Sequence, residues 1–538
     1  MLMLCFDKLY GGHSLARSLS YARNGLVGAT QPLAAQAGLA MLKKGGNAVD
    51  AAIAVAACLS VVEPTSNGLG SDAFAIVWMK GKMFGLNSSG PAPEAISIDK
   101  VRGAGFEKMP LYGWTPVTVP GAPGAWASLS ARFGRLGLEE CLAPAVYYAR
   151  EGYPVSPTVA YNWSRAFENF SEVGLGAEFK EWFRVFAPGG RAPKVGEMWA
   201  SPDHAASLEE IGGTDAESFY RGRLAEDIAA ASSQHGGYLN LSDLANFVPQ
   251  WVEPISVNYR GYDVWEMPPN GQGLVALMAL NILKGYDFPA MDCDTCHIQF
   301  EAIKLAFTAG KNYISDPAYM DLSYDELLSE DYAARQRSVI GESAAEPALI
   351  EPSRGGTVYL ATADGEGNMV SYIQSNYMGF GSGVVVPGTG ISLQNRGCDF
   401  SLDPKAANCL EGGKRSYHTI IPGFLTKAGA AIGPFGIMGG YMQPQAHVQL
   451  LMNSIDFRMD PQAALDAPRW QWTEGKSFLV EPHFPQDILE GLQRRGHDVQ
   501  MAPDSGTFGR GQAIWRDPES GVLVGGTESR ADSIMAGW

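Results

Sequence analysis

Apolar residues recur at helical spacing through much of the first two-thirds of the chain and at strand spacing through the last third. Pro32 to Lys44 carries Ala, Leu and Met every third or fourth position and predicts a helix that starts near Thr30 and stops at Gly45-Gly46. Asp50 to Val62 predicts a second, more strongly apolar helix. Ala-rich helices of this kind pack closely in a layer over a sheet. Asp72 to Gly85 alternates as a hairpin, Ala73–Met79 and then Lys82–Leu86, turning at Lys80-Gly81. Further helices are predicted over Gly124–Arg132, Glu139–Glu151, Asp203–Ile211, Glu217–His235, Gly273–Lys284 and His297–Asn312. From Thr357 the texture becomes short strands and glycine turns. Thr357–Ala363 and Asn368–Gln374 form a hairpin across Asp364–Gly367, followed by strands over Gly379–Gly390 and Tyr417–Phe424. A helix over Gln445–Ser454 precedes closing strands over Gln512–Trp515 and Gly521–Gly525. Helices early and strands late suggest one layered sandwich built from both parts of the chain.

Composition narrows the class. Length alone, 538 residues, would suggest three or four domains. An apolar content of 46% with 18% charged residues is that of a globular protein. The formal net charge of −17 argues against a polyanion such as nucleic acid as partner. Met1 to Asn24 has no long apolar core before a small-residue cleavage site. The longest apolar stretch, Leu274–Leu283, is interrupted by Asn281 and too short to cross a bilayer. A cytoplasmic protein without membrane contact is the expectation. The 7 cysteines fit reduced thiols. Cys293-Asp-Thr-Cys296 with His297 has the spacing of half a zinc site or a redox pair, but no second pair answers it. Two structural thiols near a helix start are expected, with no metal and no cofactor.

The candidate chemistry lies at Gly355-Gly356-Thr357, which heads the first strand of the strand-rich part. Gly-Gly before a strand is most often a turn, and Thr is a favoured strand residue. Inside a chain a threonine hydroxyl has no base of its own. If the Gly356–Thr357 bond breaks, Thr357 gains an α-amine of pKa about 7.7–8.0 beside that hydroxyl, so one cleavage supplies nucleophile and base together.

Several motifs in order resemble the γ-glutamyltransferase family over nearly the whole chain. They are Gly28–Gly38 with Gly45–Asp50, Glu63–Gly70, Gly381–Gly390, Leu393–Arg396, Gly439-Gly440, Asn453–Asp456 and Ala467-Pro-Arg469. The resemblance implies the α+β fold of N-terminal-nucleophile (Ntn) hydrolases, an αββα sandwich with two antiparallel sheets between helical layers. It implies a precursor cut into residues 1–356 and 357–538, large and small subunits that stay associated, with room for a dimer of such units. Thr357 matches the family's nucleophile, Ser375 a hydroxyl that hydrogen-bonds it, and Gly439 and Gly440 the oxyanion hole. Asp399 matches the carboxylate that holds the substrate α-amino group; by itself it reads as a turn cap.

Three departures separate this chain from a γ-glutamyltransferase proper. Ser89 stands where the family has an arginine that clamps the substrate α-carboxylate, and a hydroxyl does not replace a bidentate guanidinium. His418-Thr419 replaces a Ser-Ser pair that contacts the same carboxylate; His418 either binds an anion or is a structural histidine. Pro268–Gly273 differs from the family's Ser-rich loop. These variants look more like the bacterial amidohydrolases and acylases of the lineage, such as oxamate amidohydrolase and cephalosporin acylases. A small-molecule amide hydrolase is therefore expected, with a true γ-glutamyltransferase or glutathione hydrolase as the alternative. Glutathione should be a poor substrate unless Arg354, Arg396 or Arg415 fills the vacant position. The short link Leu402–Gly413 should leave the site open to water. Competing readings fare worse: Gly381-Ser382-Gly383 lacks the last glycine of a nucleophile elbow, and Gly436–Gly440 lacks nucleotide-loop spacing. A non-catalytic scaffold would stay a single uncut chain.

Overall fold

The computed structural model describes residues 17–173, 176–347 and 356–538. The segment before Arg17, on which the absence of a leader was read, and Arg354 and Gly355 lie outside that range. Two 7-stranded sheets, antiparallel throughout, lie face to face. The first runs, edge to edge, Ser20–Ala22, Leu523–Thr527, Arg510–Arg516, Ala430–Met438, Gly423–Lys427, Tyr262–Glu266 and Ile255–Tyr259. The second runs Ile534–Gly537, Gly25–Ala29, Gly356–Asp364, Met369–Tyr377, Asp72–Met79, Lys82–Ser88 and Gln250–Val252.

Phe74, Ile76, Tyr359, Ile373, Phe424 and Ile514 fill the space between the sheets. Helices Pro32–Lys43, Ala48–Val62, Ala122–Phe133 and Leu138–Glu151 belong to the core that covers the second sheet. Gly273–Leu283, Cys293–Tyr313 and Met442–Ile455 belong to the one that covers the first. This is the αββα sandwich. Strands from beyond Thr357 lie between strands from before it in both sheets, so a break at residue 356 leaves the two parts hydrogen-bonded together.

Sequence dictates these elements locally. Ala48–Val62 is buried at every position, as an all-round apolar helix requires. Asn47 and Asp50 close a capping box at its start. The Lys80-Gly81 turn is left-handed at both residues, φ 51° and 78°, the geometry of a type I′ hairpin. The hairpin across residues 364–367 forms as expected.

Four expectations need correction. Glu217–His235 is two helices, Glu217–Arg221 and Arg223–Gln234, broken at Gly222, where a Cβ would stand 2.9 Å from the Ser218 Cα. Residues 379–390 turn rather than extend, because Phe380, Gly381, Gly383, Gly388 and Gly390 all have positive φ; one bridge, Val385 to Ser392, remains. Residues 417–422 are held in a loop by bonds from His418 N to Asn270 O and from Gln272 N to His418 O, and the strand starts at Gly423. The strand expected at Gly521 starts at Leu523, after a turn closed on Asp517. Helices Pro157–Val173 and Lys180–Phe186 were not anticipated.

Candidate active site

Thr357 sits where the pairing of two central strands slips. Gly356 faces Tyr377 and Val358 faces Gln374, so the partner strand carries one extra residue beside Thr357. Such bulges re-aim side chains. Tyr377 takes a left-handed φ of 73°, a local strain that the surrounding packing must hold. Thr357 is fully buried. Its Oγ1 lies 3.0 Å from Ser375 Oγ, and Ser375 Oγ in turn donates to the Gly356 carbonyl at 2.7 Å and accepts from Tyr377 N at 2.8 Å. A hydroxyl has one hydrogen. With it on the Gly356 oxygen, Thr357 must donate to Ser375.

Gly439 and Gly440 turn the chain from strand Ala430–Met438 into helix Met442–Ile455, with φ of 140° and 61°. A Cβ on Gly439 would lie 3.1 Å from the Gly509 Cα, so the pair of turns is close-packed backbone on backbone. The turns are braced from behind. Arg469 Nη1 donates to the Phe508 and Gly509 carbonyls at 2.9 and 3.0 Å, and Arg469 Nη2 pairs with Glu528 Oε2 at 2.8 Å. Arg530 donates to Glu528 Oε1 at 2.8 Å and to Glu481. Burial pushes the Glu528 carboxyl up, yet Arg469 and Arg530 outweigh it and hold the group down at about 2. Gln272 Nε2 fixes the Gly440 carbonyl at 2.9 Å.

Beside Tyr377 a pocket of about 900 Å³ is lined by Asp399, Lys311, Tyr441 and Met378 among others. Asp399 Oδ1 accepts from Tyr377 Oη at 2.8 Å and from Tyr441 Oη at 3.4 Å. Arg396, buried, stacks over the Tyr377 ring at 3.9 Å and donates from Nη1 to Thr419 Oγ1 at 2.8 Å. The same Nη1 lies 3.7 Å from Asp399 Oδ2. Among the described residues, Arg396 Nε and Nη2 and Asp399 Oδ2 find no hydrogen-bond partner. Buried polar atoms without a partner are costly, and each is a place for a water or a ligand atom. Lys311 donates to Tyr441 Oη and lies over the Tyr441 ring at 3.9 Å. Desolvation pushes its ammonium down to about 8, with Asp399 pulling the other way.

The remaining expected residues, Ser89, His418 and Thr419, are not among the described residues that line this pocket. Ser89 is buried; its hydroxyl donates to Asn87 Oδ1 at 2.7 Å and accepts from Asn270 Nδ2 at 3.2 Å. Arg415 Nε donates to the Ser89 carbonyl at 3.0 Å, so a guanidinium does stand next to the position where the local sequence lacks one. His418 has both ring nitrogens occupied, by Asp72 Oδ2 at 3.0 Å and by Ile420 N at 3.4 Å. Burial, then Arg396, keeps its imidazole well below its usual range. Burial also lifts the Asp72 carboxyl to about 7 against the pull of Arg396.

The sequence reading did not assign Lys311, Tyr377 or Tyr441, and it weighed Arg396 only as one arginine that could fill the vacant position; Arg396 is not among the described residues that line the pocket. The signal for Lys311 was a lysine one turn after Phe307 on an otherwise buried helix face. Tyr441 directly follows the glycine pair. Cys293 and Cys296 are free thiols in the first turn of their helix, capped by Asp292. His297 turns away to His497, 2.8 Å apart, and with Glu301 their donor atoms lie within 4.8 Å of one another. The ammonium of Lys304 sits 2.6 Å from that Glu301.

Two antiparallel sheets between helical layers, with a threonine opening a central strand opposite a glycine turn, define an Ntn-hydrolase. The family described as Gamma-glutamyltranspeptidase matches residues 34–538, and the chain belongs to that family. It is 36% identical over 519 residues to the glutathione hydrolase-like YwrD proenzyme of Bacillus subtilis, covering 94% of this chain and 97% of that protein. It is 33% identical over 538 residues to the oxamate amidohydrolase proenzyme of Klebsiella pneumoniae, covering 97% and 100%. The crystal structure of cephalosporin acylase from Bacillus halodurans superposes with a TM-score of 0.95 at 59% identity, covering 99% of both chains. The chain is thus an amide-cleaving enzyme whose relatives are made as proenzymes.

The brace behind Gly439 can be tested separately from the chemistry. Glu528→Gln leaves Arg469 and Arg530 short of a buried partner, a loss expected to cost about 3–5 kcal/mol in chemical denaturation at neutral pH. The wild-type carboxyl has its pKa lowered from 4.5 to about 2, so its stabilisation is complete above 4.5 and lost as pH falls toward 2. The variant's stability should therefore fall less steeply over that acid range. Equal stability and an unchanged acid limb would contradict the assignment.

Proposed function

We propose that this protein is a self-processing threonine amidohydrolase that hydrolyses an amide of a small acid through an acyl-enzyme. One observation carries the reading: Ser375 bridges the Thr357 hydroxyl and the Gly356 carbonyl across a single peptide bond. The bridge polarises that carbonyl and holds the hydroxyl beside it, so proximity supplies much of the barrier reduction for cleavage. Thr357 Oγ1 bonds to the Gly356 carbonyl carbon, the C–N bond breaks, and the nitrogen takes the proton that the hydroxyl releases. Water then splits the ester, leaving the Gly356 carboxylate and a Thr357 that carries both hydroxyl and α-amine.

In turnover, Thr357 Oγ1 attacks the substrate carbonyl and the α-amine takes the hydroxyl proton and passes it to the leaving nitrogen. Backbone N–H groups of Gly439 and Gly440 hold the oxyanion; each donor of this kind is worth on the order of 3 kcal/mol. Water, activated by the same amine, releases the acid.

The acyl group occupies the Asp399 pocket. Arg415 beside Ser89 removes the earlier ground for excluding glutathione, and it is the observation that favours the alternative, a glutathione hydrolase. A different ground replaces it. Asp399 already accepts from two tyrosines and is flanked by the cations Arg396 and Lys311. Those cations favour a distal carboxylate on the acyl chain over an α-ammonium, for which the free Asp399 Oδ2 would be the acceptor. The link Leu402–Gly413 folds back through bonds between Ser401 and residues 408–410, and its Asp403 and Pro404 rim the pocket.

Intact mass of purified protein should show chains 1–356 and 357–538, and Thr357→Ala and Ser375→Ala should leave one chain or cut far more slowly. A single full-length mass from active protein would falsify the proposal. On substrates, glutathione should have kcat/KM at least about a hundredfold below that of a glutaryl amide, the scale of a lost charged contact. KM for the glutaryl amide should rise as pH climbs through about 8, where Lys311 loses its charge, and Lys311→Met should raise KM roughly tenfold and flatten that dependence. A pH-independent KM in wild type would remove Lys311 from the account. Because closing a site excludes water and protects an intermediate, an open rim should favour hydrolysis. With millimolar glycylglycine present, most acyl product should be free acid; a majority of acyl-dipeptide would contradict the open site.

A further inference from the structure

On the other side of Met378 from the Asp399 pocket lies a second cleft of about 340 Å³, which Gly356 and Gly439 both line. It touches the scissile carbonyl and the oxyanion turn at one end. If the acyl group fills the Asp399 pocket, as proposed above, the departing amine has this cleft to leave by. Its walls carry Arg165 and Arg510 with the amides of Asn162 and Asn169, and among the described residues no aspartate or glutamate lines it. In a chain of net charge −17 that is a local inversion of sign. Among the described residues no carboxylate pairs with Arg165, which lies on the exposed side of helix Pro157–Val173 with its guanidinium 5.8 Å from the Tyr161 ring. Among the described residues Arg510 has one carboxylate in reach, Glu63 at 3.7 Å, and Glu63 also accepts from the Thr30 and Ser66 hydroxyls. The Asp399 pocket, by contrast, holds both signs.

We infer that this cleft is a leaving-group subsite for amines that carry a carboxylate, such as amino acids and aminobenzoates, with Arg165 as its adaptable anion contact. A positive cleft in a negative protein concentrates anionic substrates at its mouth and holds the departing amine's carboxylate while the acyl bond breaks. The same subsite would favour anionic amines as acyl acceptors over neutral ones, since attack by an amine retraces the leaving step.

The test uses two chromogenic substrates with one acyl group: glutaryl 4-nitroanilide and glutaryl 3-carboxy-4-nitroanilide. The carboxylated anilide should have kcat/KM about fivefold higher, mainly through KM, the scale of a partly exposed ion pair. Its advantage should shrink toward parity in about 0.5 M salt. Arg165→Gln should bring the ratio of the two substrates toward one, and Arg165→Lys should restore most of it. Intact mass reports whether each variant matures; if neither does, the wild-type ratio and its salt dependence decide alone. Turnover of both anilides at equal kcat/KM, or a preference for the neutral one, overturns the leaving-group inference and leaves the proposed function standing. Turnover of neither by a fully cleaved enzyme overturns the amidase reading and the inference with it.

Discussion

The single hydrogen of the Ser375 hydroxyl constrains the whole site. It points at the Gly356 carbonyl because Tyr377 N already donates to the same oxygen and Thr357 lies on its remaining side. That arrangement exists only because the strand pairing slips by one residue there and Tyr377 accepts a left-handed backbone. The slip is held by burial: the hairpin lies mid-sheet, with the core helices on one face and the first sheet on the other. An edge hairpin could relax the bulge. A central one cannot.

The same tyrosine links the Thr357 hairpin to the Asp399 pocket. Its backbone amide sets Ser375, its ring supports Arg396, and its hydroxyl engages Asp399. On the proposed reading, the acyl pocket and the bond to be cut share this one residue. On the other side, Gly439 depends on a neighbour in kind. Gly509 lies against it without a side chain between, and Arg469 pins the Gly509 carbonyl through a buried ion-pair network. Preorganised donors work only if they do not move as charge develops. A guanidinium shared between two carbonyls and a buried carboxylate is a stiff way to secure that.

Much of this was legible in the sequence because local rules suffice for it. Apolar periodicity located the Ala-rich helices and the central hairpins, and Gly45, Lys80-Gly81 and residues 364–367 marked their ends. Thr357, Ser375, Gly439 and Asp399 were expected from motifs in a recognisable order; Thr357 bonds to Ser375, and Gly439 lines the same cleft as Gly356. What failed was non-local. The loop at residues 417–422 looks like a strand until residues 270–272 bond across it. The turns at 379–390 are set by left-handed glycines that a hydrophobic pattern does not weigh. The vacancy at Ser89 was real in the sequence, yet Arg415 arrives there from more than three hundred residues away. Lys311 and Tyr441 lie 130 residues apart and meet only in the folded chain. A pocket's charge is a property of the fold, and one strand at a time does not reveal it.

That Thr357 is the nucleophile is best tested by finding where the acyl group goes. The enzyme, turning over a slow glutaryl amide, is quenched in acid, digested and mapped by mass. The glutaryl increment should lie on the peptide that begins at Thr357, on its side-chain oxygen, and should disappear on brief treatment with hydroxylamine as an ester does. An increment on any other peptide, or an active enzyme whose small chain begins elsewhere than at Thr357, would contradict the account.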